Sequence, residues 1–94
     1  MVIYHGTFTV KEGKREAYIK EILASGLLDD FRRQKGNCFY DVSPSVDNEN
    51  ELIICDCWED ENAFKGHVDS KEVVRWHEMY NNYVVHNIPL EYHF

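Results

Sequence analysis

Apolar alternation at both ends of the chain, a pair of short strand-like segments in the middle and helical periodicity between them predict an α+β fold. The element order is β-α-β-β-α-β. The first strand covers residues 2–10, "VIYHGTFTV". Val2, Tyr4, Phe8 and Val10 share one face with Gly6, and His5, Thr7 and Thr9 share the other. "KEG" at residues 11–13 breaks it. Tyr18, Ile19, Ile22, Leu23, Leu27 and Phe31 then recur at helical spacing over residues 14–33. Gly26 lies inside this helix and costs it about 1 kcal/mol relative to Ala, which marks a point for a kink or break. Lys35, Gly36 and Asn37 form a stop signal.

Residues 38–43, "CFYDVS", and 52–58, "LIICDCW", read as two strands of a hairpin. The polar stretch 44–51 joins them. Asp60 suits the N-cap of a short helix that ends near His67. Asp69 or Ser70 caps the next helix, and with Asp69 as cap Glu72 would close a capping box. Val73, Trp76, His77 and Tyr80 form a stripe at i, i+3, i+4, i+7. Asn81, Asn82 and Tyr83 end that helix. In the last strand Ile88, Leu90, Tyr92 and Phe94 alternate with Pro89, Glu91 and His93. Pro89 cannot donate to a ladder, so this strand belongs at an edge.

The order is the ferredoxin-like split unit, with an antiparallel sheet and helices over one face. The third strand is apolar on both faces: Leu52, Ile54 and Trp58 on one, Ile53, Cys55 and Cys57 on the other. Helices are available for only one of these faces. The pattern therefore predicts a homodimer through sheet-to-sheet packing.

Composition narrows the function classes. The 94 residues fit one domain, 1–94. Hydrophobic content of 44% and aromatic content of 14% belong to a globular protein. The net charge of −7 excludes a phosphate-binding footprint and an anionic membrane surface, so neither nucleic acid nor a membrane is an expected partner. The first ten residues lack a basic start followed by an apolar run, and no apolar run approaches the ~18 residues of a spanning helix. Three cysteines without a C-x-x-C read as reduced, buried, small apolar residues, with no metal role. A cytoplasmic location is expected. The charged run 11–21 reads as a solvated face.

Candidate chemistry concentrates in "WEDENAFKGHVDS" at residues 58–70, with Trp58, Phe64, His67 and Ser70, and in "KGNCFYDV" at residues 35–42. These runs resemble the antibiotic biosynthesis monooxygenase family of the dimeric α+β barrel superfamily, over about residues 2–94. Lys35 stands where that family usually has Glu or Pro. The resemblance implies a homodimer with a pocket in each protomer, between sheet and helices. It also implies oxidation of phenol- or quinol-type aromatics by dioxygen, with no cofactor, neither metal nor flavin. No G-x-G-x-x-G or G-x-x-x-x-G-K run is present to hold a nucleotide. Such chemistry needs an aromatic-lined site, a base, and a donor for developing negative oxygen. His67 is the candidate base and His77 a second. Trp58, Phe64, Trp76 and Tyr80 are the candidates for the walls around a small aromatic substrate. The same residue types at helical spacing also make plain core, and His5, His86 and His93 read as structural or surface residues.

Three alternatives share the scaffold, one of them an enzyme of another type, such as an isomerase of small carbonyl compounds or signal molecules. The superfamily's heme-degrading branch resembles this chain in the spacing from Trp58 to His77, with His77 where the iron ligand would stand. Its strand-one Asn falls at Gly6 here, and its Trp at His67. A non-catalytic dimer that binds a small ligand is the third alternative.

Overall fold

A computed structural model describes residues 1–94. The chain runs β1 (Val2–Val10), α1 (Arg15–Ser25), α2 (Leu27–Arg32), β2 (Asn37–Pro44), β3 (Glu51–Trp58), α3 (Glu61–Val68), α4 (Lys71–Tyr80) and β4 (Val84–His93). The strands form one sheet in the order β2-β3-β1-β4, with every neighbouring pair antiparallel. This is the predicted split unit, with each crossover built from two helices.

The first crossover departs from the single helix expected over residues 14–33. Gly26 takes φ +75° and serves as C-cap of α1 and N-cap of α2. A left-handed residue ends an α-helix, and glycine adopts that conformation without a Cβ penalty. Tyr18, Ile22, Leu27 and Phe31 reach the core, but Leu23 is 67% exposed. It follows Ile22 by one position, about 100° around the helix, and so misses the buried stripe. The second crossover is capped as its sequence suggests. The Ala63 N–H donates to Asp60 Oδ1 at 2.8 Å. The Val73 N–H donates to Ser70 Oγ at 3.2 Å, so Ser70 is the cap of α4. Asp69 closes α3 instead and pairs with Lys65.

Arg15 corrects the reading of its charged run as merely solvated. Its guanidinium donates to the carbonyls of Ser45, Asn48 and Glu51 and ties α1 to the β2–β3 loop. Cys38 is also not buried. It sits exposed where β2 slips register against β3, Cys55 is only half-buried, and Cys57 alone is buried. All three thiols are free. No helix is long and apolar enough to cross a membrane.

The period of two in the strands divides the sheet into two unlike faces. Val2, Phe8, Tyr40, Leu52, Ile54 and Trp58 lie under the helices and are buried. On the opposite face β1 and β4 pair Thr7 with Ile88, His5 with Leu90 and Ile3 with Tyr92. Ile88, Leu90 and Tyr92 are each about half exposed there, at 54%, 47% and 48%. Pro89 pairs with Gly6 on the edge strand β4, the place where a strand proline is tolerated.

Candidate active site

Between the helical layer and the sheet lies a partly open cavity of about 510 Å³. The sheet contributes Tyr4, Phe8, Tyr40, Ile54 and Asp56, and the edge strand adds Asn87 and Glu91. From the helices come Phe64, His67, Val73, Trp76, His77 and Tyr80. The stripe read from the sequence of α4 is therefore a cavity wall, and His67 and His77 face the same space. Gly6 makes room for it. A Cβ at that position would stand 2.5 Å and 2.8 Å from carbons of the Phe8 ring. The asparagine that the heme-degrading branch has there is absent, and a side chain at this position would have to shift the Phe8 ring.

Each predicted residue has a distinct place. His67 is buried at the end of α3, stacked on Trp58 with ring centroids 4.5 Å apart and set edge-on to Phe31 at 4.8 Å. Its Nδ1–H donates to Gln34 Oε1 at 2.7 Å, which leaves Nε2 as the lone-pair nitrogen. Burial pushes its pKa down to about 4, so the ring is neutral at pH 7. His77 is exposed at the same cavity, 6.0 Å from the Tyr80 ring. Phe64 is half-buried on the wall and Trp76 is buried. The Tyr80 hydroxyl accepts from Asn87 Nδ2 at 2.6 Å, and its own proton remains free to donate.

Trp58 is placed differently from the expectation. It is fully buried and stands behind the wall, not on it. One face of its ring carries His67, and its Nε1–H donates to Asp56 Oδ2 at 2.7 Å. It orients two wall residues and does not itself meet a ligand.

Asp56 is the functional group that the sequence reading passed over. It is 2% exposed, yet it lines the cavity. No cationic side chain balances it, since no Lys or Arg lines the cavity. Desolvation by burial pushes its pKa up to about 6, against the opposing Trp58 hydrogen bond, and Glu91 adds to the rise. Tyr4, beside it, is pushed up to about 12, and Tyr40 is also raised, so both hydroxyls stay protonated. The space thus combines aromatic walls with one buried carboxylate, two imidazoles and three phenol hydroxyls. Such a site can hold a flat neutral ring by stacking and accept a proton from it.

Comparison with known proteins agrees with this architecture. The sequence pattern of the antibiotic biosynthesis monooxygenase family matches residues 1–79. A Bacillus subtilis (strain 168) protein named "Putative monooxygenase YcnE" is 34% identical over 67 residues, which span 71% of this chain and 68% of that protein. Among solved structures, SO0527 from Shewanella oneidensis superposes with a TM-score of 0.86 at 26% identity, over 99% of this chain and 89% of its own. A Nitrosomonas europaea protein described as "putative antibiotic biosynthesis monooxygenase" gives a TM-score of 0.85 at 16% identity, over 100% of this chain and 98% of its own, a likeness of fold alone. With a family match over most of its length and a fold and cavity that accord with it, the chain belongs to the antibiotic biosynthesis monooxygenase family.

Proposed function

We propose that this cavity binds a small neutral hydroxyarene and that the ring is oxygenated there by dioxygen, without metal or flavin. The observation that carries this reading is an aromatic-walled cavity whose polar groups include a buried carboxylate and no cation. The substrate supplies the electrons. For a phenol with a free ring position, phenol and dioxygen yield a quinone and water. One oxygen atom enters the ring as a carbonyl, and the four electrons lost by the ring reduce dioxygen. Phe64, Trp76 and Tyr80 hold the ring, and the Tyr80 hydroxyl donates to the reduced oxygen as charge develops. His67, held neutral, offers Nε2 as an acceptor within the cavity, and His77 stands exposed on its wall. Trp58 supports both the stacked His67 and Asp56 from behind.

Charge selection tests the reading. A carboxylate on the substrate would enter a cavity holding Asp56 and Glu91 with no Lys or Arg to meet it. Oxygen uptake with 1-naphthol should therefore exceed uptake with 1-hydroxy-2-naphthoate by roughly tenfold or more in kcat/KM, the cost of setting like charges together. Equal rates, or faster uptake with the carboxylated compound, would count against this site.

The exposed apolar strip on the second sheet face supports a dimer closed by sheet-to-sheet packing, as the two apolar faces of β3 require. Light scattering should give twice the 11.2 kDa chain mass. Leu90→Glu, placed in that strip, should give the single-chain mass. A wild-type monomer at micromolar concentration would refute the dimer.

A further inference from the structure

We propose that Asp56 is the catalytic proton acceptor of this cavity, its Oδ1 receiving the hydroxyl hydrogen of a bound neutral hydroxyarene. The place of this step in turnover rests on the oxygenase reading above, but the recognition it describes needs no oxygen.

The geometry divides the two carboxylate oxygens. Oδ2 is held by the Trp58 Nε1–H at 2.7 Å, and no protein donor reaches Oδ1. The side chain is 2% exposed, and what exposure remains faces the cavity. The other titratable groups on the walls are Tyr4 from β1, Tyr40 from β2, Glu91 from β4, His67 from α3, and His77 and Tyr80 from α4. None is a permanent cation, so the carboxylate has no internal partner at its free oxygen. A buried carboxylate with an unpartnered oxygen is costly unless a donor arrives. A phenolic hydroxyl is such a donor, and the aromatic walls fit the ring that carries it.

The chemistry balances with Asp56 as a returning carrier. As the ring gives one electron to dioxygen, its hydroxyl becomes strongly acidic, and its proton passes to the Asp56 carboxylate. Phenoxyl radical and superoxide combine at a ring carbon to form a carbon–oxygen bond. The resulting peroxide anion takes the proton back from Asp56. The carboxylate then removes the hydrogen on that carbon, the carbonyl forms, and the O–O bond breaks. The departing hydroxide accepts the proton from Asp56 and leaves as water. The carboxylate ends as it began. His67, whose ring burial holds neutral, presents Nε2 to the same cavity as a weaker base.

The test is anaerobic and uses 4-nitrophenol, an electron-poor phenol whose neutral and ionised forms absorb at different wavelengths. Wild type should hold the neutral phenol at least about tenfold more tightly than the anion, because the anion would lie against a carboxylate. The pKa of the bound probe should then rise by about one unit or more over its free value. In Asp56→Asn the amide oxygen must meet the Trp58 N–H, so an NH₂ donor faces the cavity in place of the acceptor. The pKa of the bound probe should then fall to its free value or below. The same pKa in both proteins, no shift in wild type, or no binding of the probe at all overturns the assignment. Should the variant fail to fold, the side-chain carboxyl ¹³C resonance of Asp56 in wild type decides. Binding of 2-naphthol should lower its titration midpoint, and an unmoved midpoint overturns the proposal. Absence of oxygen uptake with every hydroxyarene would defeat the oxygenase reading alone and leave the anaerobic result intact.

Discussion

Asp56→Asn should be more stable than wild type above pH 6 by about 2–3 kcal/mol, and less active in turnover by a factor of about 10² to 10⁴. The sign follows from the carboxylate's position. Its pKa in the folded protein is pushed up to about 6, from an ordinary 3.8. The folded state therefore binds this proton more tightly than the unfolded chain. The charged carboxylate destabilises the fold fully above pH 6, progressively less between pH 6 and 4, and not below. Asparagine keeps the shape and an acceptor for the Trp58 N–H but carries no charge. The difference in stability between the two proteins should thus be near zero at pH 4 and reach its full value by pH 7. Urea unfolding of both proteins across that range measures it. His67 acts in the opposite direction. Its pKa is depressed to about 4, so the unfolded chain binds that proton more tightly, and stability falls as pH drops from 6.5 toward 4. In wild type the two slopes oppose each other, whereas in Asp56→Asn the His67 slope stands alone. A variant that gains stability while losing turnover marks a charge retained for chemistry. A variant less stable than wild type at pH 8 would contradict this description of Asp56.

Trp58→Ala should cost about 3–5 kcal/mol, the usual range for removing a buried Trp. Trp58 is fully buried, and three losses coincide: its packing, the stack under His67 and the donor to Asp56. Trp58→Phe separates these effects. Phe keeps much of the packing and a surface for His67 but leaves Asp56 Oδ2 without a donor. The hydrogen bond lowers the Asp56 pKa, so its loss should raise that pKa further. Thermal unfolding reads the first effect, and the acid limb of the pH–rate profile reads the second, moving above pH 6. An unmoved limb would show that Trp58 does not set the ionisation of Asp56.

The fold was legible because its signals repeat. Alternation along the terminal strands, a doubly apolar third strand and caps at Asp60 and Ser70 each restate the same order, and turn residues separate the segments. The break at Gly26 was visible as a weak point but not as an end, because a lone glycine in a helical pattern is compatible with either. Leu23 was misplaced for a related reason, since beside Ile22 it lies off the stripe that the break defines.

The site was legible only in part. The stripe on α4 and the histidine ending α3 sit on short periodic helices, where spacing translates directly into a shared face. That the two helices bend toward one cavity depends on their crossing, which spacing does not encode. Trp58 was read as wall because strand period tells which face a residue takes, not what stands in front of it. Asp56 left a sharper trace that was missed. In "LIICDCW" it falls two residues from both Ile54 and Trp58, on the buried face, where a carboxylate is costly without a partner. A charge on the buried face of an apolar strand signals function more strongly than a histidine at a helix end.

The most direct measurement supplies ¹⁸O₂ and 1-naphthol to the purified, chelator-treated protein and weighs the product. A cavity that oxygenates its ring should yield naphthoquinone carrying one ¹⁸O atom, faster than unassisted oxidation, with one dioxygen consumed per quinone and no hydrogen peroxide released. A product without ¹⁸O, peroxide formed in step with oxygen uptake, or no product above the unassisted rate would contradict it.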